Sequence, residues 1–390
     1  MRNRSKGIDM SHLDHNDVQH TSHQRSLNEQ FVEIHAQIRE QLPQIARISF
    51  ALYEPFSDHL KTYADSTPDN EILRHYEYPL SQLTELKRCA VEQCDRCIND
   101  PIQSLEDDTP HNQWLKQQRF GASLASPMYY EDEFIGFIFI NTAEGHHFDE
   151  QLNQQLSTHI DTIRQAIGRE YETVHKILDM TSFILKQNPK HLAQSRDHQE
   201  RMHHFTKIIA WGVSQQYHLD DEKIDHITLF SRLHDIGKLS IPHHLLLKPG
   251  ELEVTERRQV IGHIEKGIEI MESVLSRANC LHHACIQTLK EIVSYHHELM
   301  DGSGYPHGLQ GDHIPVSARI VTVANIFDAL TTHRPYKQAR SVPFALLELE
   351  KMVAEGKLDK HCVNALRNHQ EFLKDITRKY PEPDPSHFSD

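Results

Sequence analysis

The chain has 390 residues, more than one core of roughly 100–200 residues uses, so two domains are expected. Its 41 Lys and Arg against 56 Asp and Glu leave a net charge of −15, which argues against a protein that coats duplex nucleic acid through a basic surface. No apolar run approaches the roughly 18 residues needed to span a bilayer, the start has no apolar signal segment, and six cysteines are too few for a disulfide framework, so a reducing cytoplasm and no membrane partner are expected.

Residues 1–28 are polar, rich in Ser, Asn, Asp and His, and read as a flexible tail. A first domain is expected over 29–167. Strand-like runs at Ala46–Tyr53, Ala122–Tyr130 and Phe134–Asn141, the last two divided by Glu131-Asp132-Glu133, predict an α+β domain with an antiparallel hairpin. Leu152, Leu156, Ile160, Ile163 and Ile167 step by 4, 4, 3 and 4 residues, one face of a helix. The stripe continues through Tyr171, Val174, Leu178 and Ile184 to Asn188-Pro189. Residues 168–190 are therefore expected to form a helical linker, which could join two copies of the chain, carry a signal, or simply pack on one domain.

Beyond Pro189 the pattern stays helical. Met202, Phe205, Ile208, Ile209 and Val213 form one stripe, Ile224, Ile227, Phe230 and Leu233 a second, and Val260, Ile264, Ile268, Met271 and Leu275 a third. An all-α helical-bundle domain is expected over 191–379, with 380–390, which carries three prolines, as a loose tail.

His198, His234-Asp235, His263 and His296-His297 are separated by 36, 29 and 33 residues, about one helix and loop each, so they could converge from different helices of a bundle. Imidazole suits iron, manganese or zinc, and a carboxylate can bridge two such ions. Two metals roughly 4 Å apart can share a hydroxide and neutralise a phosphoryl group under attack. In a chain with 32 histidines, spacing alone does not separate ligands from surface or core histidines.

The local wording adds to this. His234-Asp235-Ile236-Gly237-Lys238, followed by Ile241-Pro242 and Lys248-Pro249-Gly250, resembles the HD phosphohydrolase superfamily. His296-His297-Glu298 through Asp301-Gly302-Ser303-Gly304-Tyr305-Pro306 resembles the signature of its HD-GYP subfamily, and Phe327-Asp328-Ala329-Leu330-Thr331 and Arg334-Pro335-Tyr336-Lys337 fit the same pattern. The resemblance covers roughly 190–370 and implies a metal-dependent phosphodiesterase that opens a 3',3'-cyclic dinucleotide, cyclic di-GMP or 3',3'-cyclic GMP-AMP, to the linear 5'-phosphorylated form. It implies metal ligands at His198, His234, Asp235, His263, His296, His297 and, at the position of a final Asp ligand, Asn325. Lys238 falls on the lysine that contacts the scissile phosphate or protonates the leaving group, one turn beyond His234. Tyr305, Arg334 and Lys337 fall on substrate-facing positions. Gln194 stands where members with a third metal carry Glu, so two divalent ions, iron or manganese, are expected.

In the first domain, the strand Phe134–Asn141 with Phe148 opening a terminal helix resembles a GAF domain, a pattern that implies a sensing or dimerising module and names no ligand. Cys89, Cys94 and Cys97 have spacing that resembles part of an iron–sulfur or zinc set, which His75 or His111 could complete, but they are read first as ordinary cysteines. Cys280, Cys285 and Cys362 read as packing residues. The expectation is a cytoplasmic enzyme with a GAF-like regulatory domain and an HD-GYP-like catalytic domain, homodimeric through the first domain and linker. The neutral Asn325 keeps open a receptor that binds a cyclic dinucleotide without cutting it, and the cysteines a metal or redox sensor.

Overall fold

A computed structural model describes residues 25–67, 73–105, 109–187, 196–246, 248, 250–332 and 339–381. Strands Ile45–Glu54 (β1), His59–Asp65 (β2), Glu77–Pro79 (β3), Arg96–Asn99 (β4), Ala122–Tyr130 (β5) and Glu133–Thr142 (β6) form one sheet in the order β3-β2-β1-β6-β5-β4. Every pairing in it is antiparallel. The expected hairpin is β5–β6: Glu131 and Asp132 sit at φ 48° and 68°, the left-handed pair that a two-residue turn needs to match strand twist. Strand β6 is almost wholly apolar because both its faces are covered. Ile135, Ile138 and Ile140 face the helices Leu27–Gln41 and Glu150–Gln187, while Phe137 and Phe139 join a smaller cluster with Leu80, Leu86 and Cys89.

The helix Leu27–Gln41 begins inside the stretch expected to be a tail. Ser26 caps it, accepting from the Glu29 amide at 3.1 Å while Glu29 accepts from the Ser26 amide at 2.9 Å. The expected linker is likewise not a separate element. Glu150–Gln187 is one helix of 38 residues, about 57 Å long at 1.5 Å per residue. Its first half buries Leu152, Leu156, Ile163 and Ile167 in the core of the first domain, and its second half buries Val174 and Ile177 in the core of the second.

The second domain is all-α. Its helices include Arg196–Tyr217, Asp221–Phe230, His263–Ala278, Ala284–Tyr295, Val316–Thr331, Val342–Ala354, Lys360–Arg367 and Gln370–Lys379. Val316–Thr331 is central: Ile320, Val321, Ala324 and Phe327 are fully buried, and Phe327 meets Phe205 edge to face at 4.9 Å. The stripe read from Val260 to Leu275 as one helix is divided, because Val254–Ile261 stops at Gly262 and a new helix opens on His263, whose ring Nδ1 donates to the Val260 carbonyl at 2.7 Å. Tyr380, expected in the loose tail, is tied down by Arg201 Nη1, which donates to its carbonyl at 2.8 Å.

Candidate metal centre

The histidines gather at helix ends. His198 lies in the first turn of Arg196–Tyr217, and His234-Asp235 sits between two short 3-10 turns, Ser231–Leu233 and Ile236–Ser240. His263 opens its helix, and His296 closes Ala284–Tyr295 with His297 next to it. Gly237 lets the Ile236–Ser240 turn lie against His263–Ala278; a Cβ there would overlap the His263 carbonyl and the Gly267 amide.

Asp235 is the hub. Its Oδ2 lies 3.1 Å from His234 Nε2, and its Oδ1 lies 3.2 Å from His263 Nε2 and 3.5 Å from His296 Nε2. Ligand atoms of Asp235, His263, His296 and His297 all lie within 4.8 Å of one another. His234 adjoins this group with its ring 5.0 Å from that of His296, and His198 lies beyond it with its ring 5.6 Å from His234.

The ring tautomers follow from what each Nδ1 touches. His234, His263 and His296 place Nδ1 on the carbonyls of Ser231, Val260 and Ile292 at 2.7, 2.7 and 2.9 Å. A carbonyl only accepts, so each Nδ1 carries its proton and each Nε2 of a neutral ring holds a lone pair. Burial pushes His296 down to about 4, so its ring is neutral at physiological pH. Nε2 of His263 and of His296 is buried without a hydrogen-bond partner, facing a carboxylate. Lone pairs aimed at a buried carboxylate repel one another unless a cation lies among them. Burial alone would raise the Asp235 carboxyl, but Lys238 and His234 outweigh it and hold it well below the usual range. These residues fit divalent metal, the group the HD resemblance implies.

The surrounding groups fix these side chains. Asp328, 1% exposed, lies 2.6 Å from His198 Nδ1 and accepts from Arg201 Nε at 2.5 Å. Glu298, also buried, accepts from the amides of His307 at 2.7 Å and Leu309 at 2.9 Å, which holds the loop carrying Tyr305. The Tyr305 ring stacks on His297 at 4.6 Å. Lys238 is on a short 3-10 turn rather than a helix, and its Nζ donates to Asp235 Oδ2 at 2.6 Å.

Asn325 is half-buried on the helix that carries Asp328 and takes no part in the hydrogen bonds of the cluster. Gln194, Arg334 and Lys337 lie outside the described residues. Cys89 is buried while Cys94 and Cys97 are exposed, and among the described residues none of the three joins a metal-ligating group. His75 instead pairs with Asp221 at 2.7 Å, and His111 lies 5.4 Å from the Phe139 ring. Sequence reasoning missed Arg201; its signal was the three-residue spacing from His198, which puts both on one helix face toward one carboxylate.

Residues 172–362 match the family model described as HD domain. The chain is 40% identical over 182 residues to the cyclic di-GMP phosphodiesterase response regulator RpfG of Xanthomonas campestris, covering 46% of this chain and 45% of that protein. It is 34% identical over 193 residues to 3'3'-cGAMP-specific phosphodiesterase 2 of Vibrio cholerae, covering 49% and 36%. It is 35% identical over 200 residues to the cyclic di-GMP phosphodiesterase of Thermotoga maritima, covering 50% and 51%. The chain thus spans about half or less of the length of these relatives. Among solved structures, the first domain is similar to the GAF domain/HD domain protein from Geobacter sulfurreducens, 16% identical with TM-score 0.30 over 36% of this chain and 90% of that one. A phycocyanobilin-bound GAF domain from a cyanobacterial phytochrome is 18% identical with TM-score 0.30, covering 37% of this chain and 86% of that one. Among the described residues no helix is long and apolar enough to cross a membrane.

Proposed function

We propose, from a C-terminal half that is an HD domain, that this chain is a metal-dependent phosphodiesterase hydrolysing a 3',3'-cyclic dinucleotide, cyclic di-GMP or 3',3'-cyclic GMP-AMP, to its linear 5'-phosphorylated form. The observation that carries the reading is the set of imidazole Nε2 atoms facing the single buried carboxylate of Asp235. The printed names of the curated relatives support the substrate class.

His198, His234, Asp235, His263, His296 and His297 would hold two divalent ions, iron or manganese, with Asp235 between them and Asn325 offering a carbonyl oxygen at most. When bound, such ions supply a water acidic enough to attack phosphorus at neutral pH and offset the charge that builds on the phosphoryl oxygens. The chain's own residues do the rest. His–backbone hydrogen bonds hold three rings, those of His234, His263 and His296, in one tautomer, so this part of the donor set needs no reorganisation as substrate arrives. Lys238 is anchored beside Asp235 with its side chain 27% exposed, placed to steady the scissile phosphate and to pass a proton to the departing 3'-oxygen. Tyr305 stacks on His297 at a position the resemblance gives to substrate, and the same resemblance assigns the phosphates or a guanine edge to Arg334 and Lys337.

The test is turnover of either cyclic dinucleotide by manganese-loaded protein with and without a chelator, beside Asp235→Ala. Hydrolysis that stops with chelator and in the variant is expected; hydrolysis that survives either contradicts the reading. A second reading, a receptor that binds a cyclic dinucleotide intact, is favoured by the neutral Asn325 at a ligand position. It requires saturable binding with no loss of nucleotide.

A further inference from the structure

The three cysteines at the β4 end of the first domain do not converge on one point, yet two of them meet. Helix Thr84–Glu92 ends on Gln93, which sits at φ 54°, and the Cys94 amide turns back to donate to the Cys89 carbonyl at 3.2 Å. That closure, a left-handed residue followed by an amide returned five positions, brings the side chains at its two ends into contact. The Cys94 thiol is accordingly a hydrogen-bonding neighbour of the Cys89 thiol. The turn is held in place, because Tyr129 OH donates to the Ala90 carbonyl while Leu86 and Cys89 pack with Leu80 and Phe137 on the sheet.

The two sulfurs differ in what can reach them. Cys89 is 2% exposed, and burial, with Cys94 adding to it, pushes its thiol up, so it stays protonated. Cys94 is exposed, and its thiol donates to Glu92 Oε2 at 3.8 Å. Cys97 stands apart. It faces Leu124 in the β4–β5 ladder, its thiol donates to Asn99 Oδ1 at 3.9 Å, and burial and Asp95, rather than another cysteine, push it up. The fold thus assembles the C-x4-C pair and leaves the C-x2-C pair apart.

We propose that Cys89 and Cys94 form a reversible redox modification site, closed to a disulfide by a hydroperoxide. The Cys94 thiolate attacks the outer peroxide oxygen. The O–O bond breaks, the departing alkoxide or hydroxide takes up the thiol's proton, and Cys94 becomes a sulfenic acid. The Cys89 sulfur then attacks Cys94 Sγ, the S–O bond breaks, and the hydroxide leaves with the Cys89 proton as water. The thiol pair is oxidised by two electrons, and the peroxide is reduced to an alcohol, or water, plus a water. The disulfide ties the end of Thr84–Glu92 to the approach of β4, the edge strand, and its exposed sulfur leaves it open to reduction by a thiol. None of this depends on the metal centre or on the phosphodiesterase reading.

The full chain, reduced and then freed of reductant, would be treated with hydrogen peroxide, alkylated, cut with trypsin and weighed by mass spectrometry. Arg88 and Arg96 frame a single fragment, 89–96, that holds both cysteines, while Cys97 opens the next. Expected is a fragment 89–96 lighter by two hydrogens and carrying no alkyl group, restored by dithiothreitol and formed equally in Cys97→Ser. In Cys94→Ser, a change at an exposed position, Cys89 should remain a free thiol at the same peroxide dose. A fragment 89–96 joined to the Cys97 fragment overturns the pairing, as does a Cys94 that runs on to the sulfinic acid without closing a disulfide. Oxidation of Cys89 as fast in Cys94→Ser as in the wild type overturns Cys94 as the residue that meets the peroxide. Both thiols left unmodified at a dose that oxidises free cysteine overturns the site.

Discussion

Replacing Asp328 with Asn asks whether the carboxylate behind His198 is what orients that ligand. The native group serves two donors at once, His198 Nδ1 at 2.6 Å and Arg201 Nε at 2.5 Å, in a site where both side chains are nearly inaccessible. Burial alone would raise its pKa, but His198 and Arg201 outweigh burial and hold it at about 2. In Asp328→Asn the volume is kept, yet the amide nitrogen cannot accept, so one donor loses its partner and the buried guanidinium loses its counter-charge. A hydrogen bond to a charged group is worth about 1.5–3 kcal/mol, and breaking one side of a buried pair costs about 3–5 kcal/mol. Arg201 keeps the Tyr380 carbonyl at 2.8 Å, so the lower part of that range, about 3 kcal/mol, is expected. For a domain of this size that is a drop in melting temperature of roughly 6–12 °C. Freeing the His198 ring should also weaken metal binding by about 10–100-fold. Because the folded-state pKa is depressed, the wild-type advantage is present above the ordinary value of 3.8 and disappears as pH falls toward about 2. Calorimetric unfolding and a metal titration read both effects. A variant with unchanged melting temperature and metal affinity would refute the reasoning.

Other substitutions probe the remaining parts. Asp235→Ala should lose both bound metals together with turnover, as measured by elemental analysis, and a variant that keeps both would remove Asp235 from its place between them. Asn325→Asp should tighten metal binding if the position faces the ions; unchanged affinity would mean the centre is built without it. Glu298→Ala orphans the amides of His307 and Leu309, so the affinity for cyclic dinucleotide should fall through misplacement of Tyr305 while metal content holds. Between the domains, burial and the neighbouring Glu170 push the Glu222 carboxyl up to about 8. A raised value means its contribution is full below the ordinary 4.5 and is lost as pH rises through about 8, so wild-type melting temperature should fall across that window more steeply than that of Glu222→Gln. Parallel pH profiles would contradict it.

Much of this was legible along the chain. Strand β5 and the β5–β6 turn follow from a strand-like run and acidic turn residues, and the helical stretch Glu150–Gln187 from its apolar stripe, whereas its packing on both cores does not. The spacing of the histidines and the wording around them singled out His198, His234, Asp235, His263, His296 and His297, which the structure brings together, because residues drawn from successive helix ends leave a mark in sequence. What was not legible depends on contacts between distant segments. Glu170 falls on the buried face of its helix between Ile167 and Val174, a position that a charged residue occupies only with partners, but nothing local names Tyr63, His226 and His283 as those partners. Glu222 reads as a surface residue of a helix start, yet both its oxygens accept amides, those of Leu27 and Asn28 at 2.8 Å each, and so cap the first helix of the other domain. The break at Gly262 was hidden for a related reason: apolar period runs straight through it, while the turn exists to aim the His263 ring.

The central claim is chemical, and product analysis by liquid chromatography and mass spectrometry tests it most directly. Protein loaded with manganese or ferrous iron would be incubated with cyclic di-GMP and with 3',3'-cyclic GMP-AMP side by side. The account predicts a linear 5'-phosphorylated dinucleotide from at least one of them, the ratio of rates giving the preferred substrate. Both nucleotides recovered intact, with metal bound to the protein throughout, would contradict it.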